Sequence, residues 1–91
     1  MNQDILHFGG IKVRVQGSGT LQPSLFSMDG NNQFTPNSIT MTNPAEFEPF
    51  RLTNLITQRC KIRLETEALN DYMEVYRIVL FYKQIFSQLP G

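Results

Sequence analysis

The sequence predicts an all-β protein, a small jelly-roll-like antiparallel β-sandwich of about five to seven strands. Two segments alternate strictly between polar and apolar residues, and short turn-forming motifs separate them from further apolar stretches. The alternating strand and helix units that build parallel α/β folds are absent from the pattern. At 91 residues the chain is long enough for one hydrophobic core and too short for two, so we expect a single domain over residues 1–91.

The clearest predicted strand covers residues 59–67. Every odd position in it is charged, whereas Cys60, Ile62 and Leu64 occupy even positions. A period of two places the charges on one face of a strand and the apolar side chains on the other, while a helix would scatter both sets around its surface. Cys60, Ile62 and Leu64 are therefore predicted to face the core.

A second strand with the same pattern covers residues 11–16. Glycine-rich turn signals flank it on both sides, at residues 9–10 and 17–19. Its predicted inward residues are Ile11, Val13 and Val15.

Two weaker strands are expected at residues 20–28 and 34–42. An Asp-Gly-Asn-Asn turn at residues 29–32 separates them, since these residue types favour chain reversal. Pro23 cannot donate a ladder hydrogen bond, so the first of these strands is expected at a sheet edge or with a bulge. In the second, the predicted inward residues are Ile39 and Met41.

The segment at residues 43–50 is predicted to be a surface loop, because it contains two prolines and two glutamates. Phe47 and Phe50 are expected to hold this loop against the edge of the core. The next segment, residues 51–57, fits either a short strand or a single helical turn.

The last apolar segment, residues 72–86, could form a helix, but its many β-branched and aromatic residues favour a strand. We expect it to form a hairpin with residues 59–67, leaving residues 87–91 as a tail. The cross-strand pairs of that hairpin would be Ile78 with Leu64, Leu80 with Ile62, and Arg77 with Glu65.

The composition argues against several classes of function. Eight basic and eight acidic side chains cancel, so no net field attracts nucleic acid or an anionic membrane, and neither is expected as a partner. With one cysteine and one histidine, the chain has too few ligands for a cysteine-paired metal site, and we expect no metal or cofactor. The absence of a leader-like N-terminus predicts a protein that is not exported, and no apolar run is long enough to span a membrane.

No catalytic site is predicted, so the chain is not expected to be an enzyme. His7 is interpreted as a partly exposed or hydrogen-bonded histidine, because a triad would need a nucleophile and an acid beside it. Cys60 alternates with basic residues that point to the opposite face, which favours a core thiol over a reactive one.

Other polar motifs are also interpreted as structural. Glu65 and Glu67 share one exposed strand face, which is typical of solvated carboxylates rather than of a glycosidase pair. The turn at residues 29–31 lacks the ligand spacing of a calcium loop, and residues 17–19 are too few for a phosphate-binding loop.

A basic stripe would form if the strands at residues 11–16 and 59–67 were neighbours. A nucleic-acid site would interleave aromatic residues with these charges, and none is expected on that face, so a solvated surface is predicted. The residues of the stripe would be Lys12, Arg14, Arg59, Lys61 and Arg63.

One feature has functional content, an apolar stripe on the last strand. If Ile78, Leu80 and Tyr82 face inward, the side chains of Val75, Val79 and Phe81 point outward, and water is a poor environment for them. Either a second sheet or a loop covers the stripe, or a partner binds there. The predicted partner interface comprises Val75, Val79, Phe81, Phe47 and Phe50.

A resemblance spans most of the chain and rests on residues 11–21, 52–54, 58–59, 64–66, 70–72 and 76–81. Together these segments resemble the small β-sandwich domains of tailed-phage structural proteins, especially tail and neck components. The resemblance implies a non-enzymatic assembly protein of a phage tail, neck or capsid, located in virions that assemble in the host cytoplasm. It also implies that the partners are other virion proteins or further copies of the chain in a homo-oligomer.

Two alternatives belong to other classes. Jelly-roll carbohydrate-binding or receptor-binding modules share a similar strand rhythm, but the sugar-binding ones usually present aromatic platforms on one face, and the sequence does not place such a platform. A small enzyme is a more distant alternative, because no constellation of catalytic residues supports it.

Overall fold

The computed structural model describes residues 3–45, 48–68 and 70–88, and it confirms the all-β sandwich. All the regular secondary structure within those ranges is β-strand. The two segments at residues 51–57 and 72–86, which also fitted helix, therefore form strands. In chain order the strands are β1 (Gln3–Gly17), β2 (Thr20–Ser27), β3 (Gln33–Phe34), β4 (Ile39–Thr40), β5 (Phe50–Thr57), β6 (Cys60–Thr66) and β7 (Met73–Gln88).

The strands form two sheets with antiparallel pairing between all named strands. The first, which we call the long sheet, has the order β5-β1-β7. In the second, the short sheet, β2 is central: β6 lies along one edge of it, and β3 and β4 pair with opposite ends of the other edge. The chain passes from one sheet to the other after β1, β4, β5 and β6.

The expected hairpin between β6 and β7 does not form. β6 pairs with β2, where Glu65 lies opposite Gln22, and β7 pairs with β1, where Arg77 lies opposite Arg14. Strand length gives the physical reason. β7 has 16 residues and pairs with the 15 residues of β1. Pairing with the seven residues of β6 would leave more than half of the backbone groups on that side of β7 without a partner.

The core lies between the two sheets, and most of the predicted inward residues contribute to it. β1 and β2 supply its centre, and the side chains of Cys60, Ile62 and Leu64 are partly buried against it, as predicted. Residues that are almost inaccessible to water include Ile11, Val13, Val15, Leu21, Leu25, Ile39 and Met41.

Pro23 lies in the central strand of the short sheet, at a local gap in the pairing. Gly19 O accepts from Met41 N at 3.0 Å and Ser27 N donates to Asn32 O at 2.8 Å, so the odd residues of this strand point their backbone groups toward β3 and β4. Pro23 points the same way, between the stretches that β4 and β3 occupy. Its missing N–H therefore costs no ladder bond, although the expectation of an edge strand or a bulge was wrong, because β2 is central and pairs with β6 in regular register.

β1 begins at Gln3, well before the predicted start, because Gly9 and Gly10 lie within the strand rather than in a turn. The register with both neighbouring strands shifts between Phe8 and Gly10. Against β7 the extra residue is Gly9, which forms a β-bulge, whereas against β5 the extra residue lies in β5, between Leu52 and Leu55. At this register shift the buried hydroxyl of Thr53 donates a hydrogen bond to the Phe8 carbonyl at 2.8 Å. The carbonyl therefore keeps a hydrogen-bond partner where the ladder is interrupted.

A second bulge corrects the predicted orientation of Val75. The register of β7 shifts between Arg77 and Val75, so Tyr76 is the extra residue and Val75 pairs with Val15. Paired residues share a face, and Val15 is buried in the core, so Val75 points to the inner side of the long sheet with Ile78 and Leu80. The strict alternation assumed from the sequence was wrong at this point.

The molecule is elongated because its two sheets differ in length. Sixteen residues of strand extend about 53 Å, whereas the eight residues of β2 extend about 27 Å. The principal extents are 53 × 24 × 18 Å and the radius of gyration is 15.0 Å, compared with about 12 Å for a rounded domain of this size. The short sheet therefore covers only part of the inner face of the long one, and Tyr82 remains 63% exposed there despite the inward position predicted for it.

The bounds of the predicted loop and tail differ slightly from the strands. Phe50, the last residue of the predicted loop, begins β5, and Ser87 and Gln88, the first residues of the predicted tail, end β7. Phe47 lies outside the described residues.

Leu25→Ala should destabilise the fold by about 2–5 kcal/mol, because it removes a fully buried side chain from a site that both sheets enclose. Chemical denaturation followed by circular dichroism measures the change. The matched control is Leu52→Ala, which removes the same atoms from a position that is 75% exposed and should stay within about 0.5 kcal/mol of the parent. Equal losses in the two variants would contradict this placement of the core.

Candidate partner-binding surface

The outer face of the long sheet carries two rows that cross its three strands, with apolar side chains on the two outer strands and Lys12 or Gly10 on the central one. In one row, Phe50 of β5 and Val79 of β7 both lie opposite Lys12 of β1. In the next row, Leu52 and Phe81 both lie opposite Gly10. We call the four apolar side chains of these rows the outer patch: Phe50, Leu52, Val79 and Phe81.

The absence of a side chain at Gly10 allows two aromatic rings to meet in the middle of the outer patch. A Cβ built on Gly10 would overlap the ring of Phe50 and would lie 3.6 Å from Phe81. The rings lie edge to face, with centroids 5.6 Å apart and planes at 72°, an arrangement that aromatic pairs prefer. Phe50 and Phe81 thus bridge the central strand above a buried glycine.

The side chains of the outer patch remain open to water although they are large and apolar. Phe50 and Phe81 are each 44% exposed and Leu52 is 75% exposed, while Val79 is half-buried. Ile56 extends the apolar surface along β5, beyond Asn54. Apolar residues clustered on one face of a small protein are typical of an interaction surface, whereas scattered ones are ordinary.

Polar groups surround the outer patch and are bonded to one another. On one side His7 Nε2 lies 3.0 Å from Asn54 Oδ1. On the other side Arg77 Nη2 forms an ion pair with Glu48 Oε2 at 3.3 Å, and Arg14 donates to the carbonyl of Ala45 at 3.2 Å. An apolar centre with a polar rim is the general layout of protein–protein interfaces.

The structure brings together three of the predicted interface residues. Val79, Phe81 and Phe50 all belong to the outer patch, although Phe50 packs on Phe81 rather than against the core edge as expected. Val75 does not belong to it, because the bulge at Tyr76 turns Val75 to the inner face.

Leu52 and Ile56 were missed by the sequence reasoning. The signal was the period of two in β5, where residues 50, 52, 54 and 56 share the face opposite the buried Thr53 and Leu55. The signal was ambiguous because the segment also fitted a helical turn, in which Leu52, Leu55 and Ile56 would lie together.

His7 and Cys60 have the structural roles that were predicted for them. His7 is half-buried and hydrogen-bonded to Asn54. Cys60 is partly buried against the core, and burial raises the pKa of its thiol, which favours the protonated form.

The basic stripe does not form, because β1 and β6 belong to different sheets. β6 instead lies beside Phe26 of β2, and the Arg63 guanidinium carbon is 5.0 Å from the centre of that ring. An aromatic ring therefore does lie beside the charges of β6, on a face of the short sheet that the predicted stripe did not include. Arg63 also forms a 2.6 Å ion pair with Glu65, so the charges on this face are paired in part.

The Asp29 turn is held together by its own side chains. Ser27 Oγ donates to Asp29 Oδ1, and the backbone N–H of Asn31 donates to the same oxygen at 3.0 Å. These hydrogen bonds hold the pKa of the Asp29 carboxyl below its ordinary value, with the Ser27 hydroxyl as the larger cause. The Asp29 carboxylate thus stabilises the turn by accepting these hydrogen bonds.

Neither a metal centre nor a membrane helix is found in the described parts of the chain. No group of three or more histidine, cysteine, aspartate or glutamate side chains among residues 3–45, 48–68 and 70–88 is placed to hold a metal ion. No helix in those ranges is long and apolar enough to cross a membrane.

Comparison with known proteins does not add a family to this description. No family model, curated protein or solved structure matches the chain.

Gly10→Ala should displace the Phe50 ring from Phe81, because the new methyl group needs the space that the ring occupies. Proton–proton contacts between the two rings in NMR spectra should weaken or vanish. Gly9→Ala is the matched control, since its methyl group would meet only the edge of His7 at 3.9 Å and should leave the ring contacts intact. Unchanged ring contacts in Gly10→Ala would contradict the described geometry.

Ser27→Ala should raise the pKa of Asp29 toward its ordinary value, because the main hydrogen bond to the carboxylate is lost. A carboxyl group with a lowered folded pKa stabilises the fold above its unfolded pKa, and that contribution is lost as the pH falls through the lowered value. Carbon-13 NMR titration of the Asp29 carboxyl measures the change. Ser24→Ala, whose hydroxyl lies near Thr35 instead, should leave the titration unmoved.

Proposed function

We propose that this chain is a non-enzymatic assembly subunit that binds another protein chain through its outer patch. The observation that carries the proposal is the pair of apolar rows around Gly10, which stay exposed in the isolated chain. Removing such side chains from water is the main source of free energy in protein association.

The support beneath the outer patch favours binding without rearrangement. Its side chains are on three strands of one sheet, and the opposite face of that sheet is packed on the core through Ile11, Val13 and Leu55. A partner therefore meets side chains on a rigid frame, which lowers the entropy that binding must overcome. Phenylalanine is also among the residues enriched at the buried centre of protein–protein interfaces.

The virion setting, in a phage tail, neck or capsid, is the part of the proposal that rests on the sequence resemblance alone. A subunit of such a particle acts by contact with neighbouring subunits, and the outer patch supplies a surface for that contact. The partner chemistry that follows is an apolar protein surface with a polar rim.

The carbohydrate-binding alternative is less well supported by the same residues. A sugar ring stacks on a flat aromatic face, and Phe50 and Phe81 meet at 72° and so present no shared plane. Binding of the chain to a glycan array that is lost in Phe81→Ala would contradict the proposed function and favour this alternative.

The test uses a photo-crosslinking amino acid at position 52, the most exposed position in the outer patch. The labelled chain is expressed in its native host, irradiated, and analysed by mass spectrometry. We expect crosslinks to one defined surface of one protein chain. Phe81→Glu should suppress them, because a charge in the centre of the interface remains without a partner.

A crosslinker at Lys61 provides the control, since that side chain is exposed on the outer face of the other sheet. Crosslinks from position 61 that equal those from position 52, or crosslinks from position 52 that persist in Phe81→Glu, would overturn the proposal. Circular dichroism on each variant establishes that it is folded.

A further inference from the structure

The long sheet ends in an edge strand whose second side has no strand partner among the described residues. β7 pairs with β1 along almost its whole length, and no other described strand pairs with it. We call this open side the free edge. Several of the large apolar side chains that stay exposed belong to this one strand: Val75, Tyr76, Ile78, Phe81, Tyr82 and Ile85.

The hydrogen bonds of β1 show which backbone groups point to the free edge. Val13 N donates to Pro49 O at 3.3 Å, so odd residues of β1 bond toward β5 and even residues such as Lys12 bond toward β7. Lys12 pairs with Val79, whose own backbone groups therefore point back to β1. The N–H and C=O groups of Ile78 and Leu80 consequently point to the free edge.

The middle of this edge lacks the features that usually keep edge strands apart. Natural edges are protected by proline, by bulges or by charged side chains. Between the bulges at Tyr76 and Ile85, β7 has no extra residue of its own, because the register shift beside Phe81 and Tyr82 is taken up by Gly9 of β1. Five consecutive residues of β7 in this stretch, 78–82, are apolar or aromatic. The nearest charges, Arg77 and Lys83, stand at the two ends of that run.

We propose that the free edge of β7 pairs antiparallel with β7 of a second copy of this chain, about a two-fold axis that passes Val79. In this register Val79 lies opposite its own copy, and Ile78 lies opposite Leu80, so that the outward N–H and C=O groups of both bond across the axis. The two long sheets then form one six-stranded sheet.

Charge complementarity selects the second copy and this register. The bulge at Tyr76 takes up one residue, so Glu74 of one chain reaches Lys83 of the other, and symmetry repeats this pair of opposite charges. Arg77 lies opposite Phe81 of the second copy, where a cation can face an aromatic ring. Moving the axis to Leu80 would place Arg77 opposite Lys83, and moving it to Ile78 would place Glu74 opposite Phe81, which loses the opposite-charge pair.

The same pairing explains why apolar side chains are exposed on both faces of β7. On the inner face, Val75 of one copy lies beside Tyr82 of the other, which covers residues that the short sheet does not reach. On the outer face the two outer patches become continuous across the axis through Val79. The inference goes beyond the proposed function, because it concerns the backbone edge and holds whichever chain binds Leu52.

In the proposed dimer Val79 of one chain faces Val79 of the other, and this allows a specific test by charge substitution. Light scattering during size-exclusion chromatography should show a dimer for the parent chain. Val79→Lys and Val79→Glu should each be monomeric, because each places two like charges face to face. An equal mixture of the two variants, distinguished by mass in native mass spectrometry, should form mostly heterodimer. Leu52→Lys, a charge on the same face but two strands away, should remain a dimer.

A covalent test serves if a charged variant fails to fold. Residues opposite each other in a non-hydrogen-bonded pair bring their Cβ atoms close enough for a disulfide. In a Cys60→Ala background, Val79→Cys should give a disulfide-linked dimer with oxidised glutathione, and Leu52→Cys should not.

Several outcomes would overturn the inference: a monomeric parent chain, a trimer or larger ring, a dimer of Val79→Lys alone, or no heterodimer on mixing. Failure of this inference is distinguishable from failure of the proposed function. If the Val79 variants behave as expected but position 52 gives no crosslinks, only the outer-patch proposal is rejected. If position 52 gives the expected crosslinks but the Val79 variants show no β7 pairing, only the dimer is rejected.

Discussion

The backbone ladder between β1 and β7 is the pairing on which the rest of the molecule depends. It joins a 15-residue strand to a 16-residue strand, and no other pairing in the described chain approaches this length. The inner side of β1 supplies Ile11, Val13 and Val15 to the core, so the ladder holds the central residues of the sandwich in line. On the outer face of the long sheet, the same ladder places Phe81 opposite Gly10. The side of β7 that does not pair with β1 forms the edge of this sheet.

Two of the three bulges in this ladder, at Gly9 and Tyr76, decide which side chains meet. Without the extra residue at Gly9, the inward residues on either side of it would not keep the same face, and Phe8 and Ile11 could not both be buried. The extra residue at Tyr76 keeps Val75 on the inner face and leaves Glu74 and Arg77 on the outer one. Gly9 in β1 and Tyr76 in β7 thus determine which side chains lie on each face of the long sheet.

The sequence was sufficient for the class of fold and for most of the core, because side-chain alternation is a local property. Ile62 and Leu64 could be placed inward from their own strand alone, as could Ile39 and Met41. Strand pairing is different, since it depends on which long strand finds a partner of equal length. Nothing local to residues 59–67 distinguishes β2 from β7 as the neighbour, and the hairpin expectation failed for that reason.

The candidate surface was predictable in part for the same reason. Val79 and Phe81 follow from the alternation of β7, but their contact with Phe50 depends on β5 lying across β1, which only the sheet order reveals. Gly9 and Gly10 resembled a turn because glycine favours turns, whereas here one glycine forms a bulge and the other admits two rings. A glycine needed for space cannot be recognised until its neighbours across the sheet are known.

The ladder that organises the fold also determines when the fold can form. Its nearest paired residues, Gly17 and Met73, and its farthest, Gln3 and Gln88, lie far apart in the chain, so this is a protein of high contact order. Local hairpins cannot nucleate the long sheet, and folding is expected on the slower, millisecond-to-second scale typical of small all-β domains. During synthesis β1 emerges early and has its principal partner only after β7 has left the ribosome, so the short sheet around β2 and β6 can assemble first.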